Sequence, residues 1–210
     1  MKSVVCFIDG YNLYHAINNL GKNFNYLKWL DIPRLMSFFT DSQEQKINAV
    51  YYFSAYADWK ISCERHKLYV RALVERGVIP IMGRFKTKDR ECLRCHTKWK
   101  GHEEKETDVN MALHILKMAF YKEYDEAFVV TQDSDIAPAL KMIKQVNTLA
   151  RIKVITPPNI RHSRELIRVA DKAASIKIGH LKNSLFPKDI VNSRGDIVLT
   201  RPVEYAPAVE

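Results

Sequence analysis

Ser3-Val4-Val5-Cys6-Phe7-Ile8-Asp9-Gly10-Tyr11-Asn12 is the stretch that decides the fold class. Its apolar, β-prone run does not alternate, and it stops at an Asp-Gly pair. A strand wetted on one face alternates; a strand covered on both faces does not. The run therefore predicts a central strand of a parallel sheet, followed at once by a helix over residues 11–20.

The same grammar repeats outward. Strands are expected at 47–55, at 78–85 (weakened by Pro80 and Gly83), at 126–131, and at 151–155 before Pro157-Pro158. Helices are expected over 31–39, where Asp31 can cap and Pro33 suits the first turn, and over 60–76, ending at Gly77. Val109, Ala112, Leu113, Leu116 and Phe120 recur at helical spacing over 108–121, and further helices fit 135–147 and 163–171. Ser175-Ile176-Lys177-Ile178 suggests a last short strand. Strand–helix alternation implies an α/β domain over residues 1–178, with a mostly parallel sheet covered by helices on both faces.

Two segments break this rhythm. Residues 86–106 are polar, charged and without periodicity, and read as a long loop or small insertion. Residues 179–210, with Pro187, Pro202 and Pro207, read as a C-terminal extension, partly strand and partly disordered.

The chain has 210 residues, 33 Lys plus Arg against 24 Asp plus Glu, and a net charge of +9. Such a surface attracts polyanions. No apolar run approaches the roughly 20 residues of a membrane span, and the N-terminus lacks the apolar core of a signal peptide. A cytoplasmic protein without membrane association is expected, with RNA as partner and a homodimer as a candidate assembly.

Carboxylates punctuate the carboxyl ends of the strands, where ligands gather in open α/β sheets. Asp9 follows the first strand, Asp133 and Asp135 follow the fourth, and Asp108 opens the helix after the charged loop. Clustered carboxylates repel, and a hard divalent cation such as Mg²⁺ or Mn²⁺ offsets that cost through oxygen ligation. Such a site can activate water for phosphodiester hydrolysis. The competing reading is helix capping, an ordinary use of Asp at strand-to-helix turns. It fits Asp108, Asp133 and Asp135, the last just ahead of Pro138; no strong capping need is evident at Asp9.

Phe7-Ile8-Asp9-Gly10-Tyr11-Asn12-Leu13 resembles the opening of NYN domains, the PIN-like nuclease group that includes the LabA-like (DUF88) family. Lys105-Glu106-Thr107-Asp108-Val109 and Val129-Val130-Thr131-Gln132-Asp133-Ser134-Asp135 resemble its second and third motifs, and Ser163-Arg164-Glu165-Leu166 with Ala170-Asp171 its closing segment. The resemblance runs over residues 3–178 and implies a three-layer α/β/α PIN-like fold. It also implies a metal-dependent ribonuclease site on Asp9, Asp108, Asp133 and Asp135. Asn12 would orient a carboxylate or a metal-bound water, while Thr131 and Ser134 would support the turn or touch phosphate. Some members of the family have been described as hydroxylases of pyridine derivatives.

Cys92-Leu93-Arg94-Cys95-His96 fits the haem-attachment pattern literally, but no export segment accompanies it. Cys92 and Cys95 have the spacing of a zinc pair, with His102 as a third ligand, yet no second pair completes a site. Two free thiols in a loop is the favoured reading. The same loop carries Lys86, Lys88, Arg90, Arg94, Lys98 and Lys100 around Trp99, groups suited to phosphates and an unpaired base. Arg161 and Arg164 add basic charge after the fifth strand. Three functions compete: a metal-dependent ribonuclease, a small-molecule hydroxylase, and a non-catalytic RNA-binding module. The absence of a G-x-G-x-x-G motif weighs against a nicotinamide or flavin site.

Overall fold

The computed structural model describes residues 1–192 and 194–207. Along the chain come β1 (Lys2–Asp9), α1 (Gly10–Asn18), α2 (Ile32–Ser37), β2 (Gln45–Ala55), α3 (Cys63–Glu75), β3 (Ile79–Glu91) and β4 (Lys98–Lys105). Then follow α4 (Thr107–Phe120), β5 (Glu126–Val130), α5 (Ala137–Val146), β6 (Arg151–Thr156), α6 (Arg164–Val169) and β7 (Lys172–Ser175). These seven strands form one sheet in the order β4-β3-β2-β1-β5-β6-β7. Every neighbouring pair is parallel except β3 with β4.

The central position of β1 explains its unbroken apolar run. Val4, Cys6 and Ile8 face one layer, packing with Leu13, Ile17, Leu35 and Leu73 of α1, α2 and α3. Val5 and Phe7 face the other, packing with Met111, Ile115, Leu140 and Leu166 of α4, α5 and α6. The result is the three-layer α/β/α arrangement that the resemblance implied. Local signals act as chemistry requires. Asp31 accepts from the Arg34 backbone N–H at 3.1 Å with Pro33 in the first turn of α2, and Gly77 takes a left-handed φ of 78° just beyond α3.

Residues 86–106 correct the loop reading. They belong to an antiparallel hairpin in which Arg84–Glu91 of β3 pairs with Lys98–Lys105 of β4. Its outer part is solvated on both faces, so the period-two apolar signal of a strand is absent. Cross-strand pairs such as Lys88 with Glu103 (2.7 Å) accompany the register instead. At the other edge the last strand lies a little earlier than expected, at Lys172–Ser175, and α7 (Ile178–Lys182) starts where it was placed.

The C-terminal segment is more ordered than its composition suggests. β8 (Asp189–Val191) pairs antiparallel with β9 (Ile197–Thr200), and a 3-10 turn covers Val203–Tyr205. Leu181, Phe186, Leu199 and Tyr205 enter the same core as α1–α3. The Phe186 ring lies 5.6 Å from that of buried Trp29, whose indole N–H donates to the Pro187 carbonyl at 2.8 Å. Burying each such side chain contributes about 1.5–3 kcal/mol, enough for a few anchors to hold a Pro-containing strap. The part of the expected disorder falling on residues 193 and 208–210 lies outside the described residues.

Candidate functional site

Because β1 and β5 are adjacent and parallel, their carboxyl ends bring Asp9 beside Thr131. Asp9 is buried, with only 2% of its surface exposed. Its Oδ1 accepts the Asn12 backbone N–H at 2.9 Å; its Oδ2 accepts the Thr131 hydroxyl at 2.8 Å and the Asn12 side-chain amide. Asp9 is therefore also the N-cap of α1, a role the sequence reading did not assign to it. Thr131 in turn accepts the Asp133 backbone N–H at 3.0 Å, and Asp133 caps a 3-10 turn over Ser134–Ile136 by accepting from the Asp135 N–H at 2.9 Å. Asp135 itself caps nothing, since the N-cap of α5 is Ile136. Ser134 is exposed at the start of that turn.

The acidic side chains share one electrostatic field. Burial pushes the Asp9 carboxyl up to about 7, against the opposing hydrogen bonds from Asn12 and Thr131, and the charges of Asp108 and Glu104 push the same way. Asp108, in the first turn of α4, is raised by desolvation and then by Asp133 and Asp135. Glu104 is raised by desolvation and by Asp108, while the Thr107 hydroxyl donates to it at 2.5 Å. Asp9, Asp108, Asp133 and Asp135 thus interact, and Glu104 joins them from β4. Glu104 is a carboxylate the sequence analysis did not single out; its position three residues before Thr107 was the available signal.

This donor set is all oxygen and mutually repelling, which is the chemistry a hard divalent cation relieves. Among the described residues, no three His, Cys, Asp or Glu side chains form a ready metal cage.

A cavity of about 320 Å³ opens beside this cluster, between α1, the β2–α3 connection and the hairpin. Aromatic residues dominate its wall, among them Tyr11, Tyr14, Tyr52, Trp59 and Phe85. Tyr11 links the two regions, since the charge of Glu104 raises its phenol after burial does. Gly10 is required at the junction: a Cβ there would lie 2.4–2.6 Å from the buried Tyr52 ring. Gly10→Ala is expected to destabilise the protein by about 1–3 kcal/mol through overpacking. Urea unfolding measures this, and an unchanged midpoint would contradict the packing argument.

The hairpin has two unlike faces. Lys86, Lys88 and Arg90 share a face with Trp99, opposite Glu103 and Gly101. The other face carries Phe85, His102 and Glu104 toward the cavity and the acidic cluster. Lys88 and Lys98 have carboxylate neighbours, Glu103 at 2.7 Å and Glu91 at 3.8 Å. Arg94 and Lys100 are exposed on the hairpin, and Arg161 and Arg164 are exposed after β6.

His102 does not join the cysteines, which corrects the zinc reading. It pairs with Thr87, four rungs from the hairpin end, roughly 13 Å from the turn that carries the thiols. Its ring stacks on Trp59 with centroids 3.6 Å apart and an interplanar angle of 9°. Cys95 is exposed, and hydrogen bonds from Thr97 and then Cys92 lower its thiol to about 7.

A profile of the NYN domain matches residues 3–177. Among curated proteins, the 6-hydroxy-3-succinoylpyridine 3-monooxygenase HspA of Pseudomonas putida (strain DSM 28022 / S16) is 39% identical over 105 residues, 48% of this chain and 33% of that enzyme. The chain thus spans about a third of the length of that relative. Among solved structures, a protein of unknown function from Vibrio parahaemolyticus RIMD 2210633 is similar at TM-score 0.58 and 16% identity, covering 88% of this chain and 96% of that one. That likeness concerns the fold alone.

Proposed function

The chain belongs to the NYN domain family of the PIN-like nuclease superfamily, and from that premise we propose that it is a metal-dependent ribonuclease with Asp9, Asp108, Asp133 and Asp135 at its centre. The observation that carries this reading is the buried Asp9 carboxylate, held by Asn12 and Thr131 and pushed up by burial and by Asp108 and Glu104. A Mg²⁺ or Mn²⁺ ion bound there would supply the charge that activates water and stabilises the leaving oxygen. Asn12 and Thr131 fix the orientation of the Asp9 carboxylate, and Thr131 ties Asp133 to the same point. Glu104 and Asp108 complete the negative rim. Lys86, Arg90 and Trp99 share one hairpin face, suited to the RNA backbone and an unpaired base, and Arg161 and Arg164 add charge at the sheet's carboxyl edge.

The test is cleavage of a mixed RNA pool with Mg²⁺ or Mn²⁺, with and without chelator, on protein freed of contaminating nucleases. Cleavage that follows the metal and is lost in Asp9→Asn is expected. RNA left intact under every metal by wild type and variant alike would overturn the reading.

A second reading rests on one specific pairing, the aromatic-lined cavity and the partial identity to a pyridine monooxygenase. It is a hydroxylase of small aromatic acids, and it would consume oxygen and a reduced cofactor, which the ribonuclease would not.

A further inference from the structure

The cavity beside the acidic cluster has features that a hydrolytic site alone does not need. None of its lining residues is acidic, whereas Lys28 and Lys60 both line it. Lys28 is buried, with 9% of its surface exposed, and its ammonium donates to Asn18 Oδ1 at 2.7 Å and Asn25 Oδ1 at 2.8 Å. Both partners are neutral, and among the described residues no carboxylate lies within ion-pair distance of it. The Lys28 ammonium also lies 4.9 Å from the Tyr14 ring centroid, so amide oxygens and an aromatic face hold it rather than a carboxylate, and an arriving anion would add the missing counter-charge. Both ammoniums act on His15, whose pKa burial and these charges lower, and burial lowers His66 to about 4. Burial, and then the charge of Arg65, lower Lys28 as well; Lys28 and Lys60 are the two lysines of the cavity wall.

Beside Lys60, whose ammonium lies 6.0 Å from the Trp59 ring centroid, the wall is planar. Trp59 stacks on His102 and meets Phe85 edge-on at 4.7 Å. Trp59 remains 42% exposed, so a flat ligand can reach the pair. Rings offering open faces bind bases with little regard to sequence. The volume of about 320 Å³ is at the small end of ligand cavities, the size for one such group rather than a strand.

We propose that this cavity receives one unstacked base of the RNA against the Trp59–His102 wall, with the phosphate of that nucleotide facing Lys28 and Lys60. The proposal rests on the ribonuclease reading for the source of the nucleotide. Binding does not require hydrolysis, so the two can fail separately.

The experiment titrates the full chain with adenosine 5′-monophosphate, adenosine, ribose 5-phosphate and nicotinate, by calorimetry and tryptophan fluorescence. Saturable one-to-one binding of the nucleotide is expected, with adenosine and ribose 5-phosphate each at least tenfold weaker. Trp59→Ala is expected to weaken the nucleotide about tenfold, the loss of one base–aromatic stack. Lys60→Ala, at a more exposed position, is expected to weaken the nucleotide while leaving adenosine unchanged. This pattern in a protein that cuts no RNA would uphold the cavity and overturn the nuclease reading. Ribose 5-phosphate binding as well as the nucleotide would overturn the proposal. So would an unaltered Trp59→Ala, or nicotinate binding where the nucleotide does not.

Discussion

Asp9→Asn is expected to remove a fall in stability between pH 5 and pH 8 from protein stripped of divalent cations. In the unfolded chain the Asp9 carboxyl ionises near its ordinary value of 3.8, whereas in the folded chain it holds its proton up to about 7. Between these values the folded state binds one more proton than the unfolded state. Stability therefore falls as pH rises through that window and levels off above it. At about 1.4 kcal/mol per pH unit, wild type loses about 3 kcal/mol between pH 5 and pH 8 from this group. For a chain of this size that is roughly 6–12 °C in Tm. The variant lacks this loss but has its own fixed penalty. Asn has one acceptor oxygen where Asp9 accepts at both, so one donor among Asn12 and Thr131 goes unmet, at about 1–3 kcal/mol. The variant is then the less stable protein at pH 5 and gains on wild type up to pH 8. Mg²⁺ added at pH 8 is expected to raise the Tm of wild type and much less that of the variant, because the ion takes the role of the proton. Thermal melts at both pH values measure it. Parallel curves for the two proteins would show that Asp9 ionises in the folded state as it does in the open chain.

The sequence made the middle of this structure readable and left its rim obscure, for physical reasons that differ by element. β1 was legible because burial on both faces leaves an unbroken apolar run. α2 and the end of α3 were legible because caps are local chemistry: Asp31 needs only Arg34, and Gly77 needs only its own φ. The hairpin had no such signature. Its outer strands are wet on both sides, and the residues that pair sit up to 21 apart, as Arg84 does from Lys105. Glu104 could join Asp9 only once that register was known. The aromatic cavity is further still from local sequence, since Tyr11, Tyr52, Trp59, Phe85 and Tyr205 come from five segments. Asp9 shows the opposite difficulty. Its place at the carboxyl end of β1 was legible, but its capping of α1 was not, because Gly10 begins the helix one residue earlier than the periodicity suggests.

Hydrolysis of RNA is expected to fall by about a hundredfold or more in Asp9→Asn and in Asp133→Asn, with binding retained. Either change keeps the shape of the side chain and removes one negative charge from the set that would hold the cation. Losing a main electrostatic contribution of this kind costs about 10²–10³ in rate. The two variants should differ in what else they disturb. Asp133 accepts a single backbone bond, from Asp135, so its loss is mainly one of charge. Asp9 is bonded to α1 and to Thr131, so its variant also loosens the tie to Asp133. RNA affinity should hold or rise in both, because a group that repels phosphate has gone. The contrast is Arg94→Ala with Lys98→Ala on the hairpin. There affinity should fall and its salt dependence flatten, while turnover at saturating RNA changes little. Single-turnover rates and binding isotherms at two salt concentrations separate these effects. A carboxylate variant that binds RNA weakly and cleaves it normally once saturated would place Asp9 and Asp133 in binding rather than in chemistry. A hairpin pair that loses turnover at saturation would move the reacting phosphate toward β3 and β4.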